Sequence, residues 1–359
     1  MEKFSLLDNT LPYRVCDLDL AEDADLMAWW LEVFRRQIKE FAPRIKEGYC
    51  PDQGDLECFE QQWEQGLKDV AEQRPCRLIA FDRLRDALLR RFGWPDPYQR
   101  RKDNDTEWAL RILPEWVESL SEPDLRKMRV LRGLLAGNLI DMGHEDAVAQ
   151  LGGGGGKTID FHRVLQGLGQ RPWLIDHADD FLEALTSRRW RKAVVFVDNA
   201  GPDFVLGILP LSLILIEEGL RVVLAANEQP SLNDITLLEA ARCAAAAGQQ
   251  CPQLARAMAE GDLQFVSTGG DAPLLDFDQI RPELNAATRD ADLIILEGMG
   301  RALESNRSAR FRVDCLRIAM IKDESIARWL GGKRFDLVCE LTPAGHTPPM
   351  NIGGSFSDT

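Results

Sequence analysis

Histidine is scarce in this sequence, with four residues in 359, far apart along the chain. The eight cysteines (Cys16, Cys50, Cys58, Cys76, Cys243, Cys251, Cys315 and Cys339) form no CxxC pair. Neither a zinc framework nor a disulfide scaffold is indicated, and the thiols are expected to be reduced and buried. Basic charge is also in deficit: 43 Lys+Arg stand against 58 Asp+Glu, a formal charge of −15. Affinity for a nucleic-acid backbone comes from clustered cationic side chains, so no nucleic-acid partner is expected, and any anionic substrate must be captured by a local site. No run of roughly 18 uncharged apolar residues occurs, and the opening MEKFSLLDNTLPYR lacks a cationic start followed by an apolar stretch. Membrane spanning and secretion are therefore not expected, and the cytoplasm is the default compartment. Nothing in the composition bears on oligomeric state.

What is present divides the chain by texture. From about residue 24 to 141 the pattern is helical: Leu26, Trp29, Trp30, Val33, Phe34 and Ile38 recur at three- and four-residue steps, a stripe that one helix face can bury. Further helical patterns cover roughly 56–72, 77–92, 106–120 and 124–140. From about 190, short β-branched and apolar runs alternate with helical ones: 193–197, 221–226, 263–267, 293–296, 316–321 and 335–341, with helices expected near 203–218, 234–247, 278–289 and 323–330. This predicts an α/β fold, a Rossmann-like, mostly parallel sheet flanked by helices, beside an N-terminal all-helical subdomain. The boundaries expected are 1–150 for the helical part, 151–190 for a connecting segment with a glycine-rich loop, and 191–359 for the α/β domain.

Ligands of open α/β sheets bind at the carboxyl ends of the strands. There the runs end in Asp198-Asn199-Ala200-Gly201, in Asn227, in Thr268-Gly269-Gly270-Asp271, in Glu297-Gly298-Met299-Gly300-Arg301 and in Lys322. Asp198, Asn199 and Asp234 offer two carboxylates and an amide oxygen, a donor set that suits a hard cation such as Mg²⁺ or Mn²⁺. The competing account makes Asp198 and Asp234 helix N-caps. Lys322 either neutralises phosphate charge or extends into solvent. Asn138 and Asp141, at i, i+3 spacing, either reach a crevice from the helical part or form a buried pair. Glu297 and Arg301 either orient a substrate or pair with each other. Two motifs are incomplete. Residues 151–158 end like a P-loop but carry Leu151 where glycine is required and follow no strand, and Gly298-Met299-Gly300 would need its third glycine at Leu303.

The segments VFVDNAGPDFVLGILPLSLILIEEGLRVVLAANEQPSLNDIT, DADLIILEGMGRALESN and LRIAMIKDESIARWLGGKRFD, together with RGLLAGNLIDMG (132–143), RPWLID (171–176) and LPYR (11–14), closely resemble the damage-control metal-phosphatase family. The resemblance is to its EGMGR-motif subfamily, which includes stand-alone plant enzymes and the C-terminal domain of animal pantothenate kinase 4. It implies a divalent metal (Mn, Mg, Co or Ni) in a crevice between the helical and α/β parts, with ligands falling on Asp198, Asn199 and Asp234 and a phosphate-contacting lysine on Lys322. It also implies a small phosphorylated metabolite as substrate, foremost 4′-phosphopantetheine or its S-oxidised, damaged forms. Three positions depart from the pattern: Ala200 replaces a usual Ser, Gly270 a usual Asn, and Asp323 a usual His.

The expectation is therefore a metal-dependent phosphatase with Asp198, Asp234 and Lys322 catalytic, and Asn138, Asp141, Asn227, Thr268, Glu297, Gly298 and Arg301 around the substrate. The attacking group is either a metal-activated water or Asp198 itself; a carboxylate committed to metal is the poorer nucleophile. The alternative is a non-catalytic binder of a nucleotide or phosphopantetheine-like ligand cradled by the glycines of 298–300, which would have no need of a carboxylate pair. A nucleotide-dependent oxidoreductase is disfavoured by the incomplete fingerprint.

Overall fold

The computed structural model describes residues 1–49, 52–140 and 160–349; Asp141, Cys50 and the glycine-rich segment of the sequence lie outside them. Five long helices come first: α1 (Ala24–Tyr49), α2 (Gln53–Ala71), α3 (Leu78–Arg91), α4 (Gln99–Ser119) and α5 (Pro123–Ile140). Helices α1 to α3 share one core. Leu26, Trp30, Phe34, Phe41 and Ile45 form the buried stripe of α1, and Phe34 stacks on Phe81 of α3 at 5.2 Å. The four-residue repeats of that stripe keep it on one helix face. Trp29, by contrast, is exposed.

Among the described residues, seven strands follow: β1 (Ile175–Asp176), β2 (Lys192–Phe196), β3 (Arg221–Ala226), β4 (Leu263–Ser267), β5 (Leu293–Glu297), β6 (Asp314–Met320) and β7 (Leu337–Thr342). They form one sheet in the order β1-β7-β6-β5-β2-β3-β4, parallel throughout except for β6 against β7. All residues of β2, β5 and β6 are buried. Continuous rather than alternating apolar sequence is what a strand covered on both faces requires. One sheet face packs with α4, α5 and the helix Leu209–Glu217, the other with Phe4, Phe277, Phe311 and neighbouring residues.

The chain runs outward from β2 through β3 to β4, then returns to lay β5 on the other side of β2. The connections after β2 and β5 therefore diverge, and a crevice opens between their carboxyl ends, the position at which such sheets bind ligands. Both strands are followed by a π-helical turn, Asp203–Ile208 after β2 and Gly300–Glu304 after β5. Helix α5 lies against the first of these turns with almost no side chain between them. A Cβ on Gly137 would stand 2.7 Å from the Pro202 carbonyl, and one on Gly207 would stand 2.9 Å from Leu134 Cα. That close approach brings the last turn of α5 to the crevice.

Candidate functional site

Asp198 and Asn199 extend from β2 into the crevice, Glu297 closes β5 beside them, and Asn138 arrives from α5. The Asp198 backbone N–H donates to Glu297 Oε2 at 2.9 Å. Asn138 Nδ2 donates to Asp203 Oδ2 at 2.8 Å, to Glu297 Oε1 at 3.0 Å and, at 3.4 Å, to Asp198 Oδ2. The Asn199 amide spans Asp198 Oδ2 and Asp203 Oδ2 at 2.7 and 2.8 Å. Two side-chain amides thus hold three carboxylates together: one oxygen from each of Asp198, Asp203 and Glu297 lies within 4.8 Å of the others.

The second half of the site is organised by Arg301, on the π-turn after β5. Its guanidinium forks between two aspartates, donating through one nitrogen to Asp198 Oδ1 and through the other to Asp234 Oδ2 at 2.9 Å. Asp234 is further held by Asn227 Nδ2 at 2.7 Å, and Thr268 Oγ1 stands 3.5 Å behind, against Asn227 Oδ1. Asp198 and Asp234 therefore face one cleft although 36 positions separate them in the chain. Neither caps a helix. The cap of Leu237–Gly248 is Thr236, in a capping box with Glu239, and no side chain caps Asp203–Ile208.

Gly298 makes the close arrangement possible. Its φ of +87° is in the left-handed region, and a Cβ there would overlap the Asp198 carboxylate. Lys322 follows β6 and lines the same cleft, with no ion-pair partner among the described residues. The cleft encloses about 270 Å³, and besides the charged groups its lining includes Trp30 and Phe34 of α1, Leu78 of α3, Leu232, Leu274 and Met299, together with the polar Arg36, Gln37 and Asp82 of the same helices.

Burial raises the carboxyl pKa values here. That of Asp203 is pushed to about 6, with the Asp198 charge adding to the effect, and that of Asp234 to about 7, against the opposing pull of Arg301. Glu297 lies well above the ordinary range because it is buried beside Asp203 and Asp198. Two acceptors, Asp203 Oδ1 and Asn138 Oδ1, are buried without a hydrogen-bond donor among the described residues. Clustered buried carboxylates, elevated proton affinity and unpaired oxygens together constitute a site that a divalent cation would satisfy.

The family model for the ARMT1-like domain of damage-control phosphatases matches residues 31–338. The chain belongs to this family. Damage-control phosphatase At2g17340 of Arabidopsis thaliana is 34% identical over 339 residues, covering 92% of this chain and 91% of that protein. Pantothenate kinase 2 of the same plant is 31% identical over 96% of this chain and 42% of its own length. The mouse 4′-phosphopantetheine phosphatase is 27% identical over 89% of this chain and 46% of its own. The chain thus spans less than half of the last two. A DUF89 family protein from Pyrococcus horikoshii has the same fold, with a TM-score of 0.63 at 18% sequence identity, over 89% of this chain and 97% of the other. Membership of the family makes the chain a phosphatase.

Among the residues expected from sequence, Asp198, Asn199, Asn138, Glu297, Gly298, Arg301, Asp234 and Asn227 come together in one connected network. Lys322 shares the cleft, Thr268 stands behind Asn227, and Asp141 is outside the described residues. Sequence reading did not single out Asp203, which joins Asp198 and Glu297 in the carboxylate cluster. Its signal was the spacing Asp198-x₄-Asp203, which a π-helical turn folds back on itself. Of the three departures, Ala200 is buried with its N–H on the Asn233 carbonyl, and Asp323 caps Glu324–Trp329. A Cβ at Gly270 would come within 2.8 Å of Asn227 Oδ1, so glycine there leaves room for the amide that holds Asp234.

Proposed function

We propose that the protein is a metal-dependent phosphatase of small phosphomonoesters, with 4′-phosphopantetheine or its S-oxidised forms as substrate. The observation that carries this reading is the trio of buried carboxylates, Asp198, Asp203 and Glu297, at the point where the strand order reverses. The identity of the mouse relative supports the substrate. So does the lining of the cleft, which offers charged groups for a phosphate and apolar side chains for an uncharged arm.

The residues present to hold a divalent cation are Asp198, Asp203 and Glu297, with Asn199 against Asp198 and Asp203, and with Asp234 joined to Asp198 through Arg301. The Asn199 amide presents its oxygen in place of its nitrogen by a half-turn of its last torsion. When bound, such a cation supplies Lewis-acid polarisation of the phosphoryl group. The chain supplies the remainder. Lys322, unpaired among the described residues, neutralises charge on the equatorial phosphoryl oxygens as the ester bond lengthens. Arg301 fixes Asp198 relative to Asp234, so that neither carboxylate moves when a phosphate dianion enters. The apolar side chains of the cleft lower the local polarity around the ester, and Asp198 and Asn199 offer hydrogen-bonding groups that can orient an attacking water.

The test is phosphate release from 4′-phosphopantetheine, its sulfonate, sugar phosphates and p-nitrophenyl phosphate, with Mg²⁺, Mn²⁺, Co²⁺ or Ni²⁺ and with chelator. Metal-dependent turnover is expected, together with its loss in Asp198→Ala and Asp234→Ala at unchanged circular dichroism. Full activity in both variants contradicts the assignment.

A further inference from the structure

Among the described residues, the acidic side chains that line the cleft are held, with one exception. Asp82 is paired with Arg85 at 2.6 Å, Asp198 and Asp234 with Arg301, and Asp323 accepts from the Ser325 N–H at 2.7 Å. Glu304 has no hydrogen-bond or ion-pair partner among the described residues. It ends the π-helical turn that begins at Gly300, the turn that also carries Arg301 into the site. Its carboxyl group lies back over the glycine end, with Oε2 3.6 Å from where a Gly300 Cβ would be. A half-buried, unpaired carboxyl group on the wall of a catalytic cleft has no structural duty to explain it, and the chemistry proposed above leaves one duty unfilled. An alkoxide is a poor leaving group, and neither Lys322 nor the carboxylate cluster is free to protonate it.

We propose that Glu304 is the general acid of the reaction, delivering its proton to the ester oxygen as that oxygen leaves phosphorus. The inference rests on the phosphatase reading. The groups facing Glu304 suit the role. Asp82 of α3, Asp198 after β2 and Asp323 after β6 present negative charge, Lys322 presents positive charge, and the Cys16 thiol lies close by. Burial and the three aspartates push the Glu304 carboxyl well above the ordinary range, against the opposing pull of Lys322, which favours the protonated form that a general acid requires. In the step, water oxygen bonds to phosphorus, and the ester P–O bond breaks with its electron pair passing to the ester oxygen. That oxygen takes the Glu304 proton to become the alcohol. One proton of the water stays on the product as hydrogen phosphate, and the other returns to the Glu304 carboxylate through solvent.

Protonation matters for an alkyl ester and not for p-nitrophenyl phosphate, whose leaving group departs as the anion. Glu304→Gln is therefore expected to lower kcat on 4′-phosphopantetheine by about 100-fold or more, and on p-nitrophenyl phosphate by less than about 3-fold. In the unsubstituted enzyme, kcat for the alkyl ester falls at high pH as the Glu304 proton is lost, and the aryl ester lacks that limb. Equal losses on both esters, no loss on either, or identical pH profiles overturn the role of Glu304 while leaving the phosphatase reading intact. An unsubstituted enzyme inert toward both esters with every metal overturns that reading, and the role of Glu304 with it.

Discussion

Gly298 leaves no room for a side chain: the Asp198 carboxylate occupies the volume a Cβ would take, and the backbone there is left-handed. Gly298→Ala is expected to displace Asp198 and lower kcat about 100-fold, since a shift of 1 Å at a reacting centre costs on that order. Phosphate release together with the melting temperature separates this from unfolding. Asp203→Asn keeps shape and removes one of three clustered charges. It is expected to weaken Mn²⁺ binding in calorimetry at least about tenfold, with no loss of metal-free stability, because the charge it removes is buried beside Asp198 and Glu297. Residue by residue, the sequence discloses what hangs on strand ends. Asp198, Asn199 and Glu297 each follow or close an apolar run, so their place on the rim can be read directly. Asp203 cannot be read in this way. It falls among Pro202, Phe204 and Val205, where it passes for a polar residue opening a helix, and only the π-helical turn points it inward.

Among elements, the contact between α3 and the segment that carries Asp234 is the most exposed to test. Arg85 is fully buried. It donates to Asp82 at 2.6 Å, to Asp86 at 2.7 Å and to Ser231 Oγ at 3.0 Å, and the Ser231 carbonyl accepts the Asp234 N–H at 3.0 Å. Arg85→Ala leaves two buried carboxylates without their cation, and urea unfolding is expected to show a loss of about 3–5 kcal/mol. The strand runs expected at 221–226 and 263–267 coincide with β3 and β4: β3 is an apolar run buried after Arg221, while β4, at the sheet edge, carries the exposed Gln264 between the buried Leu263 and Val266. Other elements were hidden. β1 is two residues long, too short for any period, and α4 begins seven residues before its expected start because its first turn, Gln99-Arg100-Arg101-Lys102, is polar throughout. The expected helix at 203–218 is two pieces, a π-helical turn and then Leu209–Glu217, a distinction that an all-apolar stretch does not encode.

At the scale of the whole molecule, the order of the strands creates the site. Two rim segments almost 100 residues apart, at 198 and 297, become neighbours only because β5 returns to the flank of β2. That fact depends on topology, and no local pattern contains it. Protons and the cation compete for the same oxygens. Folded and metal-free, Asp203 and Asp234 keep their protons to about pH 6 and 7, from an ordinary value of 3.8. Between those values the folded chain binds more protons than the unfolded one, so these groups favour folding in acid, and their contribution declines as pH rises toward 7. Cation binding requires the deprotonated forms and removes that penalty. The rise in melting temperature on adding Mn²⁺ is therefore expected to be larger at about pH 8 than at about pH 5.5, and a rise that is equal or greater at the acid end contradicts the linkage. The most direct measurement is an anomalous difference map from crystals soaked in Mn²⁺. A peak within bonding distance of the Asp198 carboxylate, in the crevice between β2 and β5, is the predicted result. A crystal that hydrolyses a phosphomonoester with its metal peak elsewhere, and none at Asp198, would contradict the account.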